Sequence, residues 1–134
     1  MADELIPRIR RAALPIGARI VVRGMTQDEP AISIRQAVQF QRRFPDFGRF
    51  GLSGFVAAND DEVADLGAHH LDRFARLFVF ELSDLIAAGF EVVATFRNPH
   101  VTITFLEEPG TGVERLLALR HEIRNNPAFR EEGR

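Results

Sequence analysis

Residues 89–105 read GFEVVATFRNPHVTITF. Two runs of β-branched and aromatic residues flank the turn formers Arg97, Asn98 and Pro99, so the stretch predicts two strands joined as a hairpin. In the second run, residues two apart share a face: Val101, Ile103 and Phe105 point one way, and His100, Thr102 and Thr104 point the other. The apolar set turns to the core. The polar row is left on a sheet face where the neighbouring strand brings Glu91 or Thr95 beside it. A histidine next to hydroxyls on a rigid strand can position a phosphate. The imidazole serves as acid or base, and the hydroxyl of Thr102 donates to a non-bridging oxygen.

Working outward, Arg19–Met25 (RIVVRGM) has a β-branched centre and predicts a first strand. Asp28 or Glu29, ahead of Pro30 in a first turn, opens a helix over residues 31–44, whose Ile34, Ala37 and Val38 recur at helical spacing before Pro45 closes it. The segment PDFGRFGLSGFVAAND (45–60) ends in a short strand, LSGFVAA, with glycines that permit close approach of another backbone or a ligand. Asn59 or Asp60 caps a second helix, DDEVADLGAHH, with acids in its first turn. RLFVFEL (76–82) reads as a strand covered on both faces. Ser83 caps a short helix, SDLIAAG, that Gly89 ends in the C′ position. After EEPGTG, the run VERLLALRHEIR (113–124) predicts a last helix with Val113, Leu116, Leu117 and Ile123 on one side, stopped at Asn125-Asn126-Pro127.

This order gives an α+β domain over residues 16–127, with a central mixed or antiparallel sheet of about five strands and three to four helices. Residues 1–15, interrupted by Pro7 and Pro15, are expected to form a loose arm, and 128–134 a loose tail.

The composition narrows the function classes. A chain of 134 residues and 15.1 kDa suits one core. It has no cysteine, so disulfides, thiolate metal sites and a cysteine nucleophile are all excluded. No apolar run reaches the length of a membrane span and no secretory leader is visible, so the expectation is a cytoplasmic protein with no membrane association. A net charge of -2 gives no global basic field for nucleic acid, although all seventeen cations are arginine and a local arginine patch stays open. His69 and His70 are adjacent on a helix, about 100° apart around its axis, with no third ligand nearby, so no metal is expected.

The spelling PHVTITFL resembles the histidine-x-threonine motif of two-histidine phosphoesterases, which process RNA ends and cyclic phosphates. The resemblance implies acid–base roles for His100 and Thr102. That family carries two such motifs and this chain has one, so a homodimer would supply the second histidine. A wider pattern of Arg23 in VVRGM, Ser53 in GLSGF and Glu91 in EVVATF is similar to ADP-ribosyltransferase toxins. It implies NAD as cofactor, with Arg23 holding its phosphates, Ser53 shaping the nicotinamide pocket and Glu91 as the catalytic carboxylate that stabilises a developing oxocarbenium charge. The overall layout also resembles a group of small bacterial proteins of two-gene, toxin–antitoxin-like cassettes, which implies a toxin-type protein with a cognate protein partner. A third reading is a binding module without catalysis, holding a partner protein by its phenylalanines and a sheet edge.

Overall fold

The hairpin predicted at residues 89–105 forms, and it lies toward one end of a seven-stranded antiparallel sheet. The computed structural model describes residues 9–10, 14–15, 17–25 and 29–130. In chain order the elements are β1 (Ile9–Arg10), β2 (Ile20–Gly24), α1 (Ala31–Arg43), β3 (Phe50–Ala57), α2 (Asp60–His69), β4 (Arg76–Glu81), α3 (Leu82–Ala87), β5 (Glu91–Thr95), β6 (His100–Phe105), α4 (Pro109–Ala118) and β7 (Glu122–Asn125). A 3-10 turn, Pro45–Phe47, follows α1. The strand order is β1-β5-β6-β3-β2-β4-β7.

Alternation along the strands divides the core into two layers. One face carries Val21, Leu52, Val56, Phe78, Phe80, Val92, Val101, Ile103 and Phe105, packed under Ala37 of α1, Leu85 of α3 and Val113 and Leu116 of α4. Each large apolar side chain buried there contributes about 1.5–3 kcal/mol of transfer free energy. The closest approach is at Gly112 of α4, where an added Cβ would lie 2.1 Å from the Phe105 ring, so this helix can seat only with a glycine there. The opposite face carries Ile20, Val22, Ala57, Leu77 and Val79 under Val63 and Leu66 of α2. As expected, β4 is therefore covered on both sides. The rest of that second face, on β5, β6 and the first half of β3, holds the polar row instead.

The sheet has one interruption that matters for function. β2 pairs with β3 at Ile20–Ala57, Val21–Val56 and Val22–Phe55, whereas Arg23 and Gly24 pair only with β4. Beyond Phe55 the free side of β3 is met by α1. The backbone of Ser53 is satisfied there by side chains: its N–H donates to Gln36 Oε1 (3.4 Å), and its carbonyl accepts from Arg23 Nη1 (2.5 Å). Buried backbone polar groups need partners, and these two side chains stand in for the missing strand.

Several boundaries differ from expectation. The sheet has seven strands rather than about five, because β1 and β7 are added at its margins. The last helix covers residues 109–118, and HEIR is not helical: β7 pairs with β4 through Phe78–Ile123 and Leu77–Arg124. Ser83 is not a cap, since β4 runs directly into α3 and Glu81 occupies the N-cap position without a side-chain bond. Pro30 is itself the N-cap of α1, Glu29 precedes it, and Asp28 lies outside the described residues. Asn59 does cap α2, accepting from Glu62 N–H at 2.9 Å, and Gly89 has the positive φ (93°) of its expected role. The expected arm, 1–15, lies mostly outside the described residues, but its Ile9 and Arg10 pair with Thr95 and Ala94. Of the expected loose tail, Phe129 and Arg130 donate backbone hydrogen bonds to Asn126 and Asp72, and 131–134 lie outside the described residues.

Candidate functional site

The polar row of β6 is not solvated. Thr102 and Thr104 are buried, and His100 is half-buried. As the hairpin register requires, Thr95 lies against His100 and Thr102 on one side, and Glu91 is opposite Thr104. The hydroxyl of Thr95 is 2.7 Å from His100 Nδ1 and 3.0 Å from Thr102 Oγ1, which makes a three-member hydrogen-bond chain. His100 Nε2 makes no hydrogen bond to any described residue. Burial lowers the pKa of His100, hydrogen bonding to the Thr95 backbone opposes this, and the neighbouring His70 adds to the lowering. The imidazole is therefore held toward its neutral form.

Of these residues, Thr102 and His100 each border one of two adjoining hollows that together make a groove. One, of about 450 Å³, is walled by Gln36, Gln39, Phe40, Arg43, Phe44 and Phe96 over Gly51, Ser53 and Thr102. The other, of about 500 Å³, extends over Phe55 and His100 to His70, Arg73 and Phe74. Gln36 and Ser53 border both. The groove exists because of the sequence on its floor. A Cβ at Gly51 would stand 2.5 Å from the Thr102 methyl and 2.7 Å from the Phe40 ring. Glycine at that position lets α1 come down beside the sheet, and the interrupted β2–β3 ladder keeps the recess open.

The wall opposite α1 is the loop after α2, which one buried side chain anchors alongside the backbone bond from Arg130 to Asp72. Asn126, buried just past β7, donates from Nδ2 toward the carbonyls of Gly67 (3.1 Å), Leu71 (3.0 Å) and Phe74 (3.0 Å). An added Cβ at Gly67 would meet Asn126 Oδ1 at 2.5 Å, so glycine is needed for this approach. The loop presents His70 against Phe55, with ring centroids 4.8 Å apart, while His100 meets the same Phe55 ring edge-on at 5.1 Å. Two histidines thus flank one phenylalanine. Among the charged residues bordering the groove, Arg23, Arg43 and Arg73 outnumber Glu29, whose carboxylate faces Arg23, so the local field favours anions although the whole chain is acidic.

The predicted site residues are partly brought together. Arg23, Ser53, His100 and Thr102 all border the groove. Arg23, however, is buried with its guanidinium committed: Nη1 to Gln36 Oε1 (3.0 Å) and the Ser53 carbonyl, Nη2 to Ser33 Oγ (3.2 Å), with Glu29 at 4.0 Å and Ser33 donating in turn to Glu29. It acts as a scaffold between β2, β3 and α1. Glu91 borders neither hollow and faces Arg49, whose Nε is 3.8 Å away and also donates to Thr104 Oγ1 at 2.8 Å. Among the described residues, Arg23 and Ser53 therefore share a hollow that Glu91 does not border.

Sequence reasoning passed over Gln36 and Phe96, and weighed His70 only as a metal ligand. Gln36 follows buried Ser33 by three positions and precedes Phe40 by four, a helix-face spacing that could have flagged it. His70 had no such signal, because a loop closure brings it to Phe55. Among the described residues no three His, Asp or Glu side chains gather as a metal cluster, and no helix is long and apolar enough to cross a membrane. No family model, curated protein or solved structure matches the chain.

Proposed function

We propose that the groove binds a ribonucleotide phosphodiester and that His100 is the general base that opens it. The observation that carries this reading is the His100–Thr95–Thr102 chain on the groove floor, with Nε2 left over. A hydroxyl has one proton, so with Thr95 donating to one neighbour and accepting from the other the chain can run in only two directions. When Nδ1–H donates to Thr95, Thr95 donates to Thr102, Thr102 keeps its own proton for a ligand oxygen, and the Nε2 lone pair is available. When the chain runs the other way, Thr102 spends its proton on Thr95 and Nε2 carries the hydrogen. An anionic oxygen placed at Thr102 therefore favours the direction in which His100 is a base.

The step follows from this polarity. The ribose 2′-hydroxyl loses its proton to His100 Nε2 as its oxygen bonds to phosphorus. The bond from phosphorus to the 5′-oxygen breaks, and that oxygen takes a proton from His70. The products are a 2′,3′-cyclic phosphate and a 5′-hydroxyl, with one proton gained by His100 and one lost by His70. Arg73, which borders the same hollow as His100 and His70, offsets the phosphate charge. His70 thus takes the part that a second motif, or a second copy, would otherwise fill.

The test is cleavage of a short oligoribonucleotide, with products read by mass spectrometry. Wild-type protein should leave cyclic phosphate ends, and DNA of the same sequence should stay intact. His100→Ala should lose about 10²–10⁴ in rate, the usual worth of a general base. Glu91→Gln should cleave at the wild-type rate, whereas NAD-type chemistry through Glu91 requires its loss. Absence of cleavage by wild type, or full activity in His100→Ala, would overturn the reading.

A further inference from the structure

We infer that the hollow between α1 and the β5–β6 turn is a nucleobase subsite, in which Gln36 donates to a keto oxygen of the base. The inference rests on the phosphodiester reading for where the sugar and phosphate go, but the base-binding geometry stands separately.

Three phenylalanines border this hollow. Phe40 and Phe44 have ring centroids 5.0 Å apart, and Phe44 and Phe96 6.4 Å apart, with the rings inclined by 48° and 56°. The Arg43 guanidinium lies over both Phe44 (5.8 Å) and Phe96 (5.5 Å). Phe96 is 47% exposed and has φ +55°, a region that a bulky residue rarely enters. The hairpin turn thus displays an aromatic ring at the cavity rim, where core packing gives it no reason to be. Flat rings with a planar cation beside them are a stacking platform for another flat ring.

The polar edge is more specific. Gln36 Oε1 is taken by Arg23 and by the Ser53 N–H, which fixes which end of the amide faces inward. Its Nε2 has no acceptor among the described residues. It is not a buried orphan, since no buried side-chain nitrogen or oxygen there lacks a partner, so it is open to the groove that Gln36 borders. An amide locked in this direction offers two protons and no lone pair. It suits a keto oxygen and disfavours an exocyclic amino group. Arg23, which imposes this orientation, is a positioning residue. Because Gln36 and Ser53 also border the hollow that holds His100, a base stacked here leaves its sugar and phosphate on the His100 and Arg73 side.

Ligand-detected NMR titration with uridine 3′-monophosphate, cytidine 3′-monophosphate and ribose 5-phosphate tests this. The protein has no Trp or Tyr, so saturation of its Phe rings reports base stacking directly. Wild type should bind the uridine compound at least ~10-fold more tightly than ribose 5-phosphate, equivalent to about 1.4 kcal/mol, and more tightly than the cytidine compound. Phe96→Ala should erase the advantage over ribose 5-phosphate while leaving ribose 5-phosphate affinity unchanged. His100→Ala should keep the uridine preference, so failure of RNA cleavage with preference intact would sink the catalytic reading alone. Equal binding of uridine monophosphate and ribose 5-phosphate to wild type, or an undiminished preference in Phe96→Ala, would overturn the subsite. Equal uridine and cytidine affinities would overturn the role of Gln36.

Discussion

Replacing Arg23 by Met separates a scaffold from a ligand contact. The guanidinium reaches Gln36, Ser53 and Ser33 at 3.0, 2.5 and 3.2 Å and faces Glu29 at 4.0 Å, with the Arg23 side chain 8% and the Glu29 side chain 9% exposed. Burial lowers the pKa of Arg23 and the Glu29 charge opposes this, the pattern of a cation held dry by its partners. Removing one member of such a buried ionic cluster costs about 3–5 kcal/mol, because Glu29 loses its counter-charge and the Ser53 carbonyl loses its donor. With an unfolding entropy near 2.1 cal/mol/K per residue, 134 residues give about 0.28 kcal/mol/K, so the melting temperature should fall by about 11–18 °C. Thermal unfolding followed by far-ultraviolet circular dichroism measures this. Arg23→Lys keeps the charge without the fork and should fall between the two. The double variant Arg23→Met/Glu29→Gln should lose less than the sum of the single losses, since the buried charge that faced Arg23 is gone as well. A shift under about 2 °C in Arg23→Met, the range of an ordinary surface change, would refute the buried network. Normal melting together with abolished ligand binding would return Arg23 to the role of a phosphate ligand.

Two further predictions concern the groove walls. His100 has a folded-state pKa below the unfolded value of 6.5, so the unfolded chain binds the extra proton. Its stabilisation is present above pH 6.5 and is lost as pH falls through the unfolded value toward the folded one, at up to about 1.4 kcal/mol per pH unit. Urea unfolding at pH 7.5, 6.5 and 5.5 should show wild type losing stability faster than His100→Gln, and parallel profiles would count against a buried neutral imidazole. Asn126→Ala should destabilise by about 3 kcal/mol, from the Gly67 and Phe74 carbonyls losing their side-chain donor at about 1–3 kcal/mol each. Hydrogen exchange should rise first in residues 70–74, and unchanged exchange there would show that Asn126 does not hold that wall.

What the sequence made legible was local and periodic. The β5–β6 hairpin could be read because its alternation and its turn residues agree, and α2 because Asn59 and the acids after it mark its start. The end of α4 could not. Leu116 and Ile123 fit one helix face, yet the chain leaves the helix at Leu119 (ψ 152°), and Ile123 is spent on pairing with Phe78. A long-range strand partner outweighed helical propensity, and only the short charged–apolar–charged alternation Glu122-Ile123-Arg124 hinted at it. The same division runs through the site. His100, Thr102 and Thr95 were legible together because the hairpin sets their register. The distance of Glu91 from Arg23 was not, since it depends on strand order in space: β5 and β2 are separated by β6 and β3. His70 and Gln36 arrive from elements whose placement no nearby residue announces.

The parting of β2 from β3 after Phe55 has an evolutionary reading. The recess is not carved from the core; it is a seam that two strands decline to close, dressed by Gln36 and Arg23. Variants that zip the seam shut would gain sturdiness and forfeit the recess, so selection for robustness alone would erase it.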